Sequence, residues 1–283
     1  MNETIGIVGL GLIGGSMARA YKLAGWSVLG ADLDQTTLGY AVIANIINRP
    51  LDDTNISKCD VLMLALYPQA TITWLQNNAS KIPSTCTVID LCGTKKSVCE
   101  AGFALAKEHG FLFVGGHPMA GTQFSGIKYS RSNLFKGAPM VIVPPVYDDI
   151  ALLDRIKKLL APAGFGQISV TTAEKHDRMI AFTSQLAHVV SNAYIKSPTA
   201  AQHGGFSAGS YKDMTRVAWL NEEMWTQLFI ENSDALTDEL DVLIQSLTQY
   251  RNSIASHDAD TLKSLLRDGR IAKETIDGNG AKK

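Results

Sequence analysis

Ile5-Gly6-Ile7-Val8-Gly9-Leu10-Gly11-Leu12-Ile13-Gly14-Gly15-Ser16 decides the fold. A short apolar run ends in Gly9-x-Gly11-x-x-Gly14, and an apolar stretch with helical spacing follows. In a strand–turn–helix of this kind one glycine allows the tight turn. The next lets backbone approach a pyrophosphate, and the third lets helix pack on strand. The helix N-terminus then faces the phosphates with free N–H groups. Gly9, Gly11, Leu12, Ile13 and Gly14 are therefore candidate cofactor-binding positions, with Leu66 at the end of a later strand. Asp32 closes the second apolar run, where a carboxylate can accept from a ribose 2′-hydroxyl. No Lys or Arg lies between Ala31 and Asn48 to neutralise a 2′-phosphate, so the pattern favours NAD over NADP.

Outward from this motif, β-rich runs are expected at 4–8, 27–31, 61–66, 87–91, 111–115, 140–143 and 167–171. They are short and continuously apolar, as strands covered on both faces should be. Helical patterns at 13–24, 69–78, 94–109 and 149–160 alternate with them, the last with Asp148 as expected N-cap. The alternation predicts an α/β fold, an N-terminal Rossmann-type doubly wound parallel sheet. The connection 116–137 is long for a compact domain, which marks it as functional or mobile. Beyond residue 172 the strand signals stop. Helices are expected over 172–195, 221–254 and 259–276, with a loop at 196–210 and a frayed tail over 277–283. The division expected is 1–172 for an NAD-binding domain and 173–283 for an all-helical C-terminal substrate and dimerisation domain. Long apolar helices of this kind call for a partner surface, and a homodimer supplies one.

The chain has 283 residues, with 26 Lys+Arg against 27 Asp+Glu and a net charge of -1. That balance offers no global field for nucleic acid or an anionic membrane. No apolar run approaches the roughly 18 residues of a membrane span, and the N-terminus lacks a basic region before its apolar stretch. Cys59, Cys86, Cys92 and Cys99 fit neither a disulfide framework nor a zinc motif, so a cytoplasmic location is expected. The six histidines show no metal-ligand spacing.

Three further constellations carry chemistry. His117, in Gly115-Gly-His-Pro-Met-Ala-Gly121, follows a predicted strand at the edge where open α/β sheets bind ligands, and imidazole titrates in the range a general base needs. Gln185 and His188 share a helix face and are either a satisfied buried polar pair or substrate contacts. Arg216 offers a fork that matches a carboxylate, with Asp213 three residues earlier, or it forms an ordinary helix-face ion pair.

The order of these motifs resembles the prephenate and arogenate dehydrogenases of tyrosine biosynthesis: the glycine string to Ser16, Gly116-His-Pro-Met-Ala-Gly121 with Ser125-Gly126, Gln185-x-x-His188, and Asp213-x-x-Arg216-x-Ala218 with Trp225. The resemblance covers nearly the whole chain. It implies oxidative decarboxylation of prephenate to 4-hydroxyphenylpyruvate, or of arogenate to tyrosine, with NAD(P) as hydride acceptor. It makes His117 the general base, Arg216 the grip on a substrate carboxylate, and Gln123, Gln185 and His188 substrate contacts. Two positions depart from the family pattern. Asp90-Leu-Cys-Gly93-Thr94-Lys95 has glycine where many members carry a serine beside the catalytic histidine, so either Thr94 or a main-chain group orients His117, or the histidine is held differently. Gln123 stands where many members have glutamate, which leans towards prephenate. From the length, neither a regulatory ACT-type domain nor a fused chorismate mutase is expected within these 283 residues. Other readings are a β-hydroxyacid-type dehydrogenase, which usually needs a lysine in its helical domain, and a non-catalytic NAD sensor. The helix bearing His188 has only Lys175 and Lys196, at its ends.

Overall fold

The computed structural model describes residues 3–122 and 124–280. Eight strands form one sheet: β1 Thr4–Val8, β2 Ser27–Ala31, β3 Arg49–Pro50, β4 Val61–Leu64, β5 Thr87–Asp90, β6 Leu112–Pro118, β7 Pro139–Val143 and β8 Gln167–Val170. Their order is β3-β2-β1-β4-β5-β6-β7-β8, and every neighbouring pair is parallel except β6 with β7. Alternation along each strand sorts the core. Ile5, Ile7, Val61, Met63, Ile89 and Val114 join one buried cluster, while Val8, Leu62, Leu64, Val88 and Phe113 join the other. Both faces are apolar, so both must be covered. Helices α1 Leu12–Leu23 and α5 Ile150–Leu160 supply Met17, Tyr21, Ile156 and Leu160 to the first cluster. Helices α3 Pro68–Asn78 and α4 Lys96–His109 supply Leu75, Val98 and Ala106 to the second. Helix α2 Gln35–Ile43, capped by the Asp34 side chain, and the two-residue edge strand β3 lie outside the expected elements. Both are short and mostly exposed, so their periodicity is weak.

The antiparallel partner changes the ligand edge. Residues Leu112 to Val114 of β6 pair with β5, while Gly115 to Pro118 pair with β7, His117 opposite Val141. The strand thus extends three residues past the expected 115, and His117 is held in a ladder rather than in a loop. At α5 the cap is Asp149, whose carboxylate accepts from Leu152 N–H, not Asp148.

The helical part begins with α6 Ala173–Ile180, continues through a π-helical turn Ala181–Gln185 and ends in α7 Leu186–Tyr194. After a short 3-10 turn Pro198–Gln202 come α8 Gly209–Thr215 and α9 Glu222–Glu231. The single helix expected over 221–254 is broken at Asn232, whose buried side-chain amide donates to Asp177 O and Gln185 Oε1. Helices α10 Ser233–Ala255 and α11 Ala259–Gly280 follow, the last reaching into the 277–283 tail expected to fray. By packing, the chain forms two units, Met1–Ser233 and Asp234–Lys283. Among the described residues no helix is long and apolar enough to cross a membrane.

Candidate active site

The glycine turn has the geometry a phosphate site requires. Gly9 has φ +87°, and a Cβ there would lie 2.5 Å from Ala65 O. A Cβ on Gly14 would lie 1.8 Å from Gly9 O, so helix and strand touch backbone to backbone. Gly11 is the opposite case, with nothing within 4 Å of its added Cβ. It precedes Leu12 as N-cap without a side-chain capping bond, so the first N–H groups of α1 remain available to a ligand. Asp32 accepts from Leu10 N–H at 2.7 Å and from Asp34 N–H at 2.9 Å. A carboxylate has about four lone-pair sites, so capacity remains for ribose hydroxyls. The residues present therefore fit a dinucleotide.

Gly11, Leu12, Ile13 and Leu66 line one end of a cleft of about 1130 Å³. The same cleft is lined by His117 on β6, by Ser184, Gln185 and His188 around the π turn, and by Arg216 and Trp225. His188 Nδ1 sits 2.9 Å from Ser184 O, and its ring stacks on Trp225 at 3.8 Å between centroids. A carbonyl only accepts, so Nδ1 carries the hydrogen and Nε2 is the free acceptor. Burial lowers the His188 pKa, the Ser184 carbonyl pulls it back, and the Arg216 charge adds to the lowering. Arg216 starts a 3-10 turn, Arg216–Ala218, directly after α8. The ion pairs among the described residues do not include Asp213 with Arg216.

His117 has a partner that the sequence did not disclose. Its Nδ1 lies 2.9 Å from His176 Nε2, and His176 Nδ1 lies 2.7 Å from Asp177 Oδ1. Asp177 also accepts from Lys95 N–H at 2.7 Å and Lys96 N–H at 2.9 Å, which ties α6 to the start of α4. Beneath them the fully buried Lys95 ammonium pairs with Asp90, whose other oxygen accepts from Gly116 N–H beside His117. Burial opposes the Lys95 charge, but Asp90 and the neighbouring thiols outweigh it and leave the pKa raised. Burial, then His176, then Lys95 push His117 well below the ordinary imidazole value, rather than near neutrality as expected from the residue type. His176 is lowered too, by burial first, against the pull of Asp177.

Two expected site residues have other tasks. The buried Thr94 hydroxyl donates to Glu231 Oε2 at 2.9 Å, so it does not orient His117. A Cβ added at Gly93 would meet Leu228 Cδ2 at 3.1 Å, so Leu228 packs closely over this glycine. Gln185 lines the cleft but is 1% exposed, its Nε2 donating to Leu228 O and its Oε1 accepting from Asn232. It is a satisfied strut between helices before it is a ligand contact. Gln123 lies outside the described residues. The cleft adds Lys128 and Arg131, both from the long connection after β6. Arg131 N–H donates to Ser16 Oγ at 3.0 Å, fastening that connection to α1. Lys175 and Lys196 are exposed and do not line the cleft, so the helix bearing His188 brings no lysine to it. The lysine that does line it, Lys128, comes from the connection after β6.

The family model described as prephenate dehydrogenase, nucleotide-binding domain, matches residues 17–168, and the prephenate dehydrogenase dimerization domain matches 172–268. The chain belongs to the prephenate dehydrogenase family. A cyclohexadienyl dehydrogenase from Zymomonas mobilis is 30% identical over 281 residues, 95% of this chain and 94% of the relative. Prephenate dehydrogenase from Aquifex aeolicus, solved with hydroxyphenyl propionate and NAD+, superposes with a TM-score of 0.82 at 25% identity, covering 98% of this chain and 99% of that one. Arogenate dehydrogenase from Synechocystis gives 0.79 at 28% identity, with 96% and 99% covered. Prephenate dehydrogenase relatives thus share both the sheet and the helices that meet at this cleft.

Proposed function

We propose that the chain catalyses NAD-dependent oxidative decarboxylation of prephenate to 4-hydroxyphenylpyruvate, with arogenate as the alternative substrate. The observation that carries the reading is a single cleft holding a phosphate turn at one end and His117, His188 and Arg216 at the other. Bound nicotinamide supplies the hydride acceptor. His117, neutral because burial disfavours its charge, takes the proton of the ring C4 hydroxyl as that carbon is oxidised. Loss of the ring carboxylate as CO2 returns its electron pair to the ring, and the proton goes back to the oxygen of the aromatic product. Arg216 holds the side-chain carboxylate by charge-assisted hydrogen bonds, and His188 presents an acceptor nitrogen. Gly9, Gly11, Leu12, Ile13, Gly14, Leu66 and Asp32 hold the dinucleotide, residues 1–172 forming its domain. Aromatisation drives the reaction, so positioning is the main demand on the protein.

Residues 173–283 would complete the substrate side and dimerise. Val242, Leu247 and Ile254 of α10 and Leu266 and Ile276 of α11 are exposed apolar side chains, which suits a subunit interface. The deciding experiment is a set of initial rates with prephenate and arogenate, each with NAD and NADP. A higher kcat/KM for prephenate with NAD is expected. A preference for arogenate or NADP would overturn that specificity, and no turnover of either substrate would overturn the activity.

A further inference from the structure

We infer that His176 and Asp177 are positioning residues that hold His117 in one tautomer, hydrogen on Nδ1 and lone pair on Nε2. The inference rests on the reading of His117 as base and explains how that base is prepared without the serine that Gly93 replaces. Hydrogen-bond polarity carries the argument from one end of the chain of contacts to the other. Asp177 accepts two main-chain N–H groups, from Lys95 and Lys96, and both of these arrive from a loop and helix start fixed by the sheet. A carboxylate so engaged is an acceptor only, so the His176 nitrogen that faces it at 2.7 Å carries a hydrogen. His176 is 3% exposed, with the buried Lys95 ammonium nearby, and a second proton on its ring is disfavoured. Its Nε2 therefore keeps a lone pair, and the only polarity that makes a bond at 2.9 Å has His117 Nδ1 as donor. The opposite His117 tautomer would set two lone pairs against each other in a partly buried contact, leaving the buried His176 nitrogen without a donor.

The arrangement does two things for the base. It leaves Nε2 as the basic nitrogen of a side chain that lines the cleft, and it prevents the ring from turning. It also offers the imidazolium formed during turnover a polarised acceptor on its far side, so the transferred charge is spread towards Asp177. A carboxylate-backed imidazole performs the same task in hydrolytic triads, where the wrong tautomer costs orders of magnitude in rate. Here a second imidazole is interposed. Asp177 also caps the start of α4, so its replacement would disturb packing as well; His176 is the cleaner position to vary.

Two measurements on the full chain test this. In 15N-histidine-labelled protein, with His117 assigned by comparison with H117N, long-range 1H–15N correlation should show a protonated Nδ1 and a pyridine-like Nε2 for His117. The reverse pattern overturns the proposal. In kinetics, His176→Phe keeps a ring but removes the acceptor, and should lower kcat by about 10–10³-fold with KM and NAD affinity within about twofold. His176→Gln places a carbonyl oxygen near the position of Nε2 and should recover at least about tenfold of that loss. Unchanged kcat in H176F, or equal losses in both variants, would reduce His176 to a packing residue. If wild type turns over neither substrate, the reading of the activity fails, while the tautomer measurement, which needs no substrate, still decides this inference.

Discussion

A methyl group placed on Gly14 and one placed on Gly11 should have different consequences, although both glycines belong to one motif. At Gly14 the new Cβ would sit 1.8 Å from the Gly9 carbonyl oxygen, against more than 3 Å for an ordinary contact, so backbone has to move. Overpacking of this kind costs about 1–3 kcal/mol, and in a unit this size that corresponds to a fall in Tm of roughly 2–12 °C. NAD binding should weaken as well, because the displaced turn is the proposed phosphate cradle. At Gly11 the added methyl meets nothing within 4 Å, and φ of -67° is open to alanine. Gly11→Ala should therefore keep its Tm within about 1 °C. It should still weaken NAD by about 10–150-fold, the equivalent of one charge-assisted contact at about 1.5–3 kcal/mol. Differential scanning calorimetry and isothermal titration with NAD separate the two effects. If Gly11→Ala binds NAD as wild type does, no phosphate approaches that backbone and the cofactor placement is wrong.

Asp32→Ala should weaken NAD and narrow the preference over NADP, because the carboxylate both binds the ribose and repels a 2′-phosphate; an unchanged NAD:NADP ratio in kcat/KM would refute this. Arg216→Ala should raise KM for the substrate by about 10–150-fold while NAD affinity holds, and an unchanged KM would make Arg216 a bystander at the cleft wall. The acid limb of kcat/KM should lie below pH 6.5, since burial holds His117 in its basic form into mild acid, and it should vanish in the residual activity of His117→Asn. The pKa values of His117, His176 and His188 are all lowered by burial. The unfolded chain therefore binds more protons than the folded one below about pH 6.5, and Tm should fall from pH 7 to pH 5; a flat Tm would contradict their buried neutrality. Sedimentation at micromolar concentration should give a dimer mass or an even multiple, and a monomer would sink the proposed interface.

The phosphate turn was legible because local sequence suffices for it: three glycines at fixed spacing, a strand before them and a helix after, with Asp32 closing the next strand. The strands were legible through continuous apolar runs, and their alternation sorts the two buried faces. Short, mostly exposed elements whose apolar residues follow no period, such as α2 and the edge strand Arg49–Pro50, gave no such signal. Asn232 stood inside a helical repeat, and nothing in that repeat announced that its amide would be buried between Asp177 and Gln185. Ala173, His176, Asp177 and Ile180 do follow the three-and-four spacing of a buried face. Two ionisable residues in that stripe are the one local trace of the His117 contact.

What sequence alone determined was the class of fold, the glycine turn of a nucleotide-binding domain and the residue types proposed for the chemistry. Those depend on spacing over a few tens of residues and on side-chain chemistry that travels with the residue. Only tertiary structure decided which groups surround His117, the proposed base. His117 and His176 stand 59 residues apart, and Thr94 and Glu231 stand 137 apart. Packing brought the first pair together and turned the Thr94 hydroxyl away from His117 to Glu231. A hydrogen bond is a statement about angstroms between groups from different elements, and no one-dimensional pattern encodes which of two nearby hydroxyls or rings will face a given nitrogen.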